Sequence, residues 1–269
     1  GPLGQGMAMA VGMAMAEAHL AALFNREGYP VVDNDTYVLM GDGCMMEGVS
    51  SEAASMAGAM GLGRLIALYD SNAITIEGDT AITFREDVAA RFAAYGWHVA
   101  TVEDGEDVDA IGQALKNARE ETKRPSLIIV RTQIAYGTPK AGKASAHGEP
   151  LGEDNIRAMK EFFGWSQEPF QVPKEVYGHF AAMQSVFEKK EQEWNALFAD
   201  WETAYPELAA QWKAYHEGSL PEDFAGDPDF WDFQDKTATR SASGAVLNRL
   251  AGKGLNLFGG SADLAPSNK

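Results

Sequence analysis

The chain has 269 residues, 45% of them hydrophobic, and a formal net charge of −17. This length is sufficient for one large hydrophobic core or two smaller ones, and the negative charge argues against nucleic acid and anionic membranes as partners. The single cysteine, Cys44, excludes an internal disulfide and is typical of a reducing compartment, so we expect a cytoplasmic protein. We find no run of about 18 apolar residues and expect no bilayer-spanning segment.

The first half of the chain alternates between helical and strand patterns. Helices are predicted at residues 7–24, 47–60, 88–95 and 108–121, and strands at residues 36–40, 64–70, 97–102 and 126–131. Apolar strands that alternate with helices are typical of a parallel sheet covered on both faces. We therefore predict an α/β fold with a doubly wound parallel sheet. In the first helix, Gly6 and Gly12 predict close packing against a neighbour.

The pattern changes after residue 152. Residues 153–163 and 174–216 are predicted to be helical, without a strand between them. Residues 218–235 contain prolines and many acidic residues, which is typical of a surface connector. A helix from residue 239 and a strand at residues 255–258 predict the start of a second α/β unit.

Gly41, Asp42 and Gly43 follow the first predicted strand, at the edge where open parallel sheets bind ligands. Glycines let the backbone approach a phosphate, and a helix that follows directly offers unpaired N–H groups. The Asp42 carboxylate would repel a phosphate unless a divalent cation lay between them. At the end of the next strand, Asn72 supplies a neutral oxygen, and the Ile74 carbonyl could supply a third ligand.

Other interpretations of this motif are weaker. A dinucleotide-binding G-x-G-x-x-G motif is absent, because Met46 occupies its third glycine position, and the chain contains no G-x-x-x-x-G-K-[ST] loop. Gly-Asp-Gly alone is equally compatible with an ordinary turn. Asn72 at the end of the next strand is what favours a metal and phosphate site.

These residues also carry a family resemblance. Gly41 to Gly43 followed by Asn72 resembles the diphosphate motif of thiamine diphosphate enzymes, and the stretch GDGCMMEGVSSE is similar to transketolases. Four further stretches agree with that family in its order along the chain: GPLGQG, FAAYGWHV, HGEPLG and GGSADLAPSN. The resemblance implies reversible transfer of a two-carbon ketol unit between sugar phosphates by a homodimer that uses thiamine diphosphate and Mg²⁺ or Ca²⁺.

The resemblance also implies a domain organisation. A diphosphate-binding domain would occupy residues 1–205, a connector residues 206–236, and the start of a pyrimidine-binding domain residues 237–269. Transketolases have further segments on both sides of such a stretch. We therefore expect this chain to hold the diphosphate half of an active site and not to catalyse ketol transfer alone.

Individual residues receive roles from the same resemblance. The metal would be bound by Asp42, Asn72 and the Ile74 carbonyl. Thiamine diphosphate would be contacted by Gly1, Leu3, Gly43, Asn72, Ile76, Ile134, His147 and Asp263. The sugar phosphates would be contacted by His147, Arg240 and Ser267. The catalytic set would be His147 with Glu47 and Glu52, the two glutamates belonging to an acidic chain between the two cofactor sites of a dimer. A solvated carboxylate pair at a helix N-terminus is an equally good interpretation of those glutamates.

The sequence departs from the family at three places. Ala73 and Ala135 stand where the family usually has glycine, and the loop at residues 139–147 is short and lacks a histidine often found there. Three alternatives stay open: a related ketol transferase such as dihydroxyacetone synthase, one subunit of a split transketolase, or a binding module that keeps the cofactor pocket without turnover.

Overall fold

A computed structural model describes residues 2–218, 226–233, 236–253, 256–261 and 263–269. Contacts divide the chain into two compact units, Gly1–Leu197 and Phe198–Lys269. The helices of the first unit are α1 (Gln5–Phe24), α2 (Asp42–Met46), α3 (Gly48–Met60), α4 (Val88–Ala94), α5 (Val108–Glu120), α6 (Glu153–Phe162) and most of α7 (Lys174–Ala204). Its strands are β1 (Thr36–Gly41), β2 (Leu65–Ser71), β3 (Ile74–Thr75), β4 (Gly78–Asp79), β5 (His98–Val102) and β6 (Ser126–Arg131).

The main sheet has the strand order β1-β2-β6-β5, and every neighbouring pair is parallel. Successive side chains of a strand point to opposite faces, so each strand contributes to two cores. On one face, Leu65 and Ala67 of β2 pack with residues of α1, α3 and α4. On the other face, Ile66 packs with Ala114 and Ala118 of α5. The doubly wound α/β prediction is therefore confirmed.

By length and composition α1 could cross a membrane, although no bilayer-spanning segment was predicted from the sequence. One face of the helix packs into the sheet core, where Val11 and Ala14 are buried. Glu17 of the same helix is also buried and pairs with Arg64, its Oε1 lying 3.4 Å from Nε of the arginine. A buried carboxylate paired with a cation just before β2 is compatible with a helix that packs into the core.

The predicted close packing at the glycines of α1 is wrong. A Cβ added to Gly6 or to Gly12 would meet no atom within 4 Å. The small residues that face the sheet are Ala10 and Ala14, both buried. The small residues buried in this helix are therefore alanines, and neither glycine lies at a close contact.

The second unit contains the end of α7, α8 (Pro206–Glu217), α9 (Thr239–Gly252) and α10 (Ala265–Asn268). Pro206 divides the predicted helix 174–216 in two, because a proline is tolerated only in the first turn of a helix. Phe198, Trp201 and Trp212 form an aromatic cluster. The strand expected at residues 255–258 is not found at residues 256–258, and residue 255 lies outside the described residues.

Candidate functional site

The carboxyl ends of β1 and β2 bring the predicted metal ligands to one edge of the sheet. Gly41, the last residue of β1, pairs with Asp70 of β2, so Asp42 and Asn72 each lie just beyond the end of neighbouring strands. The Asp42 carboxylate accepts a hydrogen bond from the backbone N–H of Ala73 at 3.1 Å. The side chain of Asp42 thus reaches the turn that contains the other two predicted ligands.

Asp42 is a buried carboxylate, with only 5% of the residue exposed. Its second hydrogen bond comes from the phenol of Tyr69, which donates to Oδ1 at 2.5 Å. Burial, together with this hydrogen bond, raises the pKa of Tyr69, so the phenol is a protonated donor at neutral pH. Both of these donors are neutral, so neither hydrogen bond neutralises the charge of the carboxylate, which is a suitable ligand for a divalent metal ion.

The Asn72 turn is held by its own side chain. Oδ1 of Asn72 accepts a hydrogen bond from the Ile74 N–H at 3.0 Å, and Nδ2 donates to Asp70 at 3.4 Å. An asparagine oxygen that bonds to the backbone two residues on is typical of a tight turn. The oxygen has a second lone pair, so this turn leaves it able to bind a cation.

Two alanines near the site adopt the backbone conformation that favours glycine. The φ angle is +62° at Ala73 and +55° at Ala135. In this left-handed region a Cβ approaches the following carbonyl oxygen, which costs roughly 1–2 kcal/mol per residue. These are the two positions at which the sequence departs from the family's usual glycine, and the structure explains why glycine suits them.

The Gly-Asp-Gly segment differs from the prediction in one respect. Helix α2 begins at Asp42 itself, so Gly43 lies inside this helix and α3 does not begin until Gly48. A Cβ on Gly43 would lie 2.9 Å from Cδ1 of Leu3, which places these two predicted cofactor contacts side by side. Gly1 lies outside the described residues.

Three other predicted residues lie on neighbouring loops beyond β2 and β6. Ile76, at the tip of the β3–β4 hairpin, is 69% exposed, and a Cβ on Gly148 would lie 3.3 Å from its Cδ1. His147, which precedes Gly148, is also exposed. Ile134 follows β6, and its carbonyl accepts a hydrogen bond from the Gly142 N–H at 2.9 Å. The loop between residues 134 and 148 therefore folds back to the hairpin at this edge.

Glu47 and Glu52 are exposed residues at the start of α3. Their exposure is compatible both with a solvated pair and with a role across a dimer interface, so their assignment stays a prediction. The sequence did not single out Tyr69 or Arg91, which contact this region. For Tyr69 a signal was available, because alternation along β2 places it on the same face as Leu65 and Ala67.

The predicted sugar-phosphate residues lie in the second unit. Arg240 and Ser267 both line an open groove of 930 Å³ between α9 and the C-terminal segment. Both side chains are exposed. Asp263 is exposed too and does not line that groove. Arg240 and Ser267 thus line one groove, and their assignment to the sugar phosphate, like that of Asp263 to the cofactor, stays a prediction.

A doubly wound parallel sheet with this carboxylate and asparagine turn at its carboxyl edge is the arrangement expected of a thiamine diphosphate-binding α/β domain. Comparison with known proteins agrees, because residues 1–221 match the family described as "Transketolase, thiamine diphosphate binding domain". The chain therefore belongs to the transketolase family.

Relatives extend this agreement over the whole chain. Transketolase of Geobacillus stearothermophilus is 52% identical and that of Bacillus subtilis 51% identical, each over 100% of this chain and 41% of the relative. Among solved structures, transketolase of Pichia stipitis in complex with sedoheptulose-7-phosphate matches with a TM-score of 0.93 and 42% identity, over 100% of this chain and 40% of that one. The chain thus spans about two fifths of the length of these relatives.

Proposed function

We propose that the full-length protein is a transketolase that moves a two-carbon ketol unit from a ketose phosphate to an aldose phosphate. The proposal is supported by the family match and by relatives that carry this name and are identical to this chain at about half of the aligned positions. Sugar phosphates as substrates are supported by the related Pichia stipitis complex. We further propose a cytoplasmic homodimer, for which the support is the single cysteine and the family resemblance.

The observation that carries the metal proposal is the environment of Asp42. Its carboxylate is buried and hydrogen-bonded to two neutral donors, Tyr69 and the Ala73 N–H. Mg²⁺ binds few protein oxygens and completes its shell with phosphate and water, whereas Ca²⁺ accepts more oxygens at longer distances. Asp42, Asn72 and the Ile74 carbonyl are a suitable donor set for either ion.

Thiamine diphosphate, when bound, supplies the carbanion-stabilising group of the reaction. The residues of this chain bind and orient it. Gly43 would face the diphosphate, Leu3 would lie near the cofactor, and Ile76 and Ile134 would provide an apolar surface at the loops beyond β2 and β6. His147 would bind both the diphosphate and the donor sugar, from a loop that the structure places against Ile76.

The proposal can be tested by binding measurements on the full-length protein. Asp42→Asn keeps the size of the side chain and removes its charge, so Mg²⁺-dependent binding of thiamine diphosphate should weaken by at least about a hundredfold, a larger loss than is typical for groups outside the first coordination shell. Asp109→Asn is the matched control, because Asp109 is an exposed residue in the first turn of α5. An unchanged dissociation constant in Asp42→Asn would contradict the proposed metal site.

A further inference from the structure

Arg91 of α4 reaches both sides of the segment that connects α2 to α3. Its Nη2 donates to the Met45 carbonyl oxygen at 3.1 Å, and its Nη1 donates to Oγ of Ser51 at 2.5 Å. Glu47 lies between these two contacts in the sequence. The side chain of Arg91 is only 17% exposed, so these bonds are largely shielded from water.

The segment that Arg91 contacts has little support of its own. Helix α2 has five residues, and helices this short are not stable in isolation. A guanidinium at the last carbonyls of a helix donates hydrogen bonds to acceptors that have no partner within the helix. Its positive charge also interacts favourably with the negative end of the helix dipole. Arg91 therefore stabilises the helix that carries Asp42 and Gly43.

The third contact of Arg91 connects it to the surroundings of Asp42. Nη2 of Arg91 lies 2.6 Å from Oε1 of Glu86. Glu86 lines a polar cavity of 330 Å³ together with Asp42 and Tyr69. Arg91 thus connects α4 with the end of α2 and with the first turn of α3, and its contact with Glu86 extends this connection to the cavity at Asp42.

We infer that Arg91 is a positioning residue, which holds α2 against α3 and so fixes Asp42 and Gly43 for the metal and diphosphate and fixes the backbone at Glu47 and Glu52. The inference rests on the proposed function of this site. Arg91 acts through the atoms that it holds and has no contact of its own with metal or cofactor in this assignment.

The test uses the full-length protein with Arg91→Met, which keeps an unbranched side chain and removes all three polar contacts. We expect thiamine diphosphate to bind at least about tenfold more weakly in saturating Mg²⁺, as is typical when a group that orients a metal ligand is removed. In the cofactor-free protein, the amides of residues 43–51 should exchange with solvent faster. Arg124→Met is the control, because Arg124 is an exposed arginine that pairs with Glu121 before β6.

A double variant separates positioning from charge. Arg91→Met leaves the Glu86 carboxylate, which lies near Asp42, without its guanidinium partner. The additional substitution Glu86→Gln removes the negative charge of Glu86. If Arg91→Met with Glu86→Gln binds the cofactor as tightly as the wild type, charge compensation explains the effect and the positioning assignment is overturned. Continued weak binding and fast exchange in the double variant support it.

Arg91→Lys keeps the test decisive if the methionine variant does not fold. Lysine retains the charge but cannot form the same fork of bonds, so we expect binding weakened by about threefold or more and faster exchange at residues 43–51. Unchanged binding and exchange in Arg91→Lys overturn the inference. In that case a strong effect of Asp42→Asn would still support the proposed function, so the two failures are distinguishable.

Discussion

Replacement of Ala73 by glycine should stabilise the turn beyond β2. Ala73 has a φ angle of +62°, and its carbonyl accepts a hydrogen bond from the Thr80 N–H at 2.9 Å, which closes the β3–β4 hairpin. Ala73 also donates its N–H to Asp42. The turn therefore needs the left-handed conformation, which an alanine adopts only with strain.

The magnitude follows from two opposing effects. Glycine removes a left-handed penalty of roughly 1–2 kcal/mol. Glycine also has more freedom in the unfolded or opened chain, which reduces the gain by about 0.5–1 kcal/mol. We expect a net stabilisation of about 0.5–1 kcal/mol, which corresponds to a decrease of about two- to fivefold in the equilibrium constant for opening of the turn.

Hydrogen exchange at the Thr80 amide in the full-length protein measures this opening directly. Exchange in Ala73→Gly should slow by the same factor. Ala181→Gly, at an exposed position inside α7, is the control. There the same substitution should destabilise the helix that contains it, because glycine in a helix costs about 0.5–1 kcal/mol. Equal or faster exchange at Thr80 in Ala73→Gly would refute the strain argument.

Three further outcomes are expected. Tyr69→Phe removes the phenol that donates to the buried Asp42 carboxylate and should destabilise the metal-free protein by about 1.5–3 kcal/mol in denaturant unfolding; a change below about 0.5 kcal/mol would contradict it. Burial, partly offset by Arg64, holds the pKa of Glu17 in the folded protein above its ordinary value of 4.5. The unfolded chain therefore releases this proton at a lower pH than the folded protein does. The wild type should consequently lose stability as pH rises above 4.5. Glu17→Gln lacks this loss, and a stability difference between the two that stays constant from about pH 4 to pH 7 would count against the reasoning. Arg240→Ala should raise KM for phosphorylated substrates with little change in kcat, because a removed binding contact acts in ground and transition states alike; an equal loss with unphosphorylated acceptors would exclude a role for Arg240 in phosphate binding.

The sequence by itself determined the four strands of the main sheet, the longer helices that alternate with them, and the edge at which the site lies. Strands such as β2 and β6 are buried on both faces, so each is a continuous apolar run that local pattern alone identifies. Parallel strands end at the same edge, so Asp42 and Asn72 could be predicted to meet there although they are 30 positions apart. The strand expected at residues 255–258 shows the limit of that argument, because an apolar run forms a strand only when another strand pairs with it.

Only the tertiary structure decided what holds the site in place. Tyr69 bonds to Asp42 across 27 positions and Arg91 bonds to Ser51 across 40. Alternation along β2 indicates the face on which Tyr69 lies, but neither contact itself has a local signature, because each depends on how α2, α3 and α4 pack on the sheet. The left-handed conformation of Ala73 has no signal in the alanine itself, and only the family resemblance, in which glycine is usual at this position, pointed to it. Local pattern thus specifies which residues reach the sheet edge, and long-range packing specifies the geometry in which they are held there.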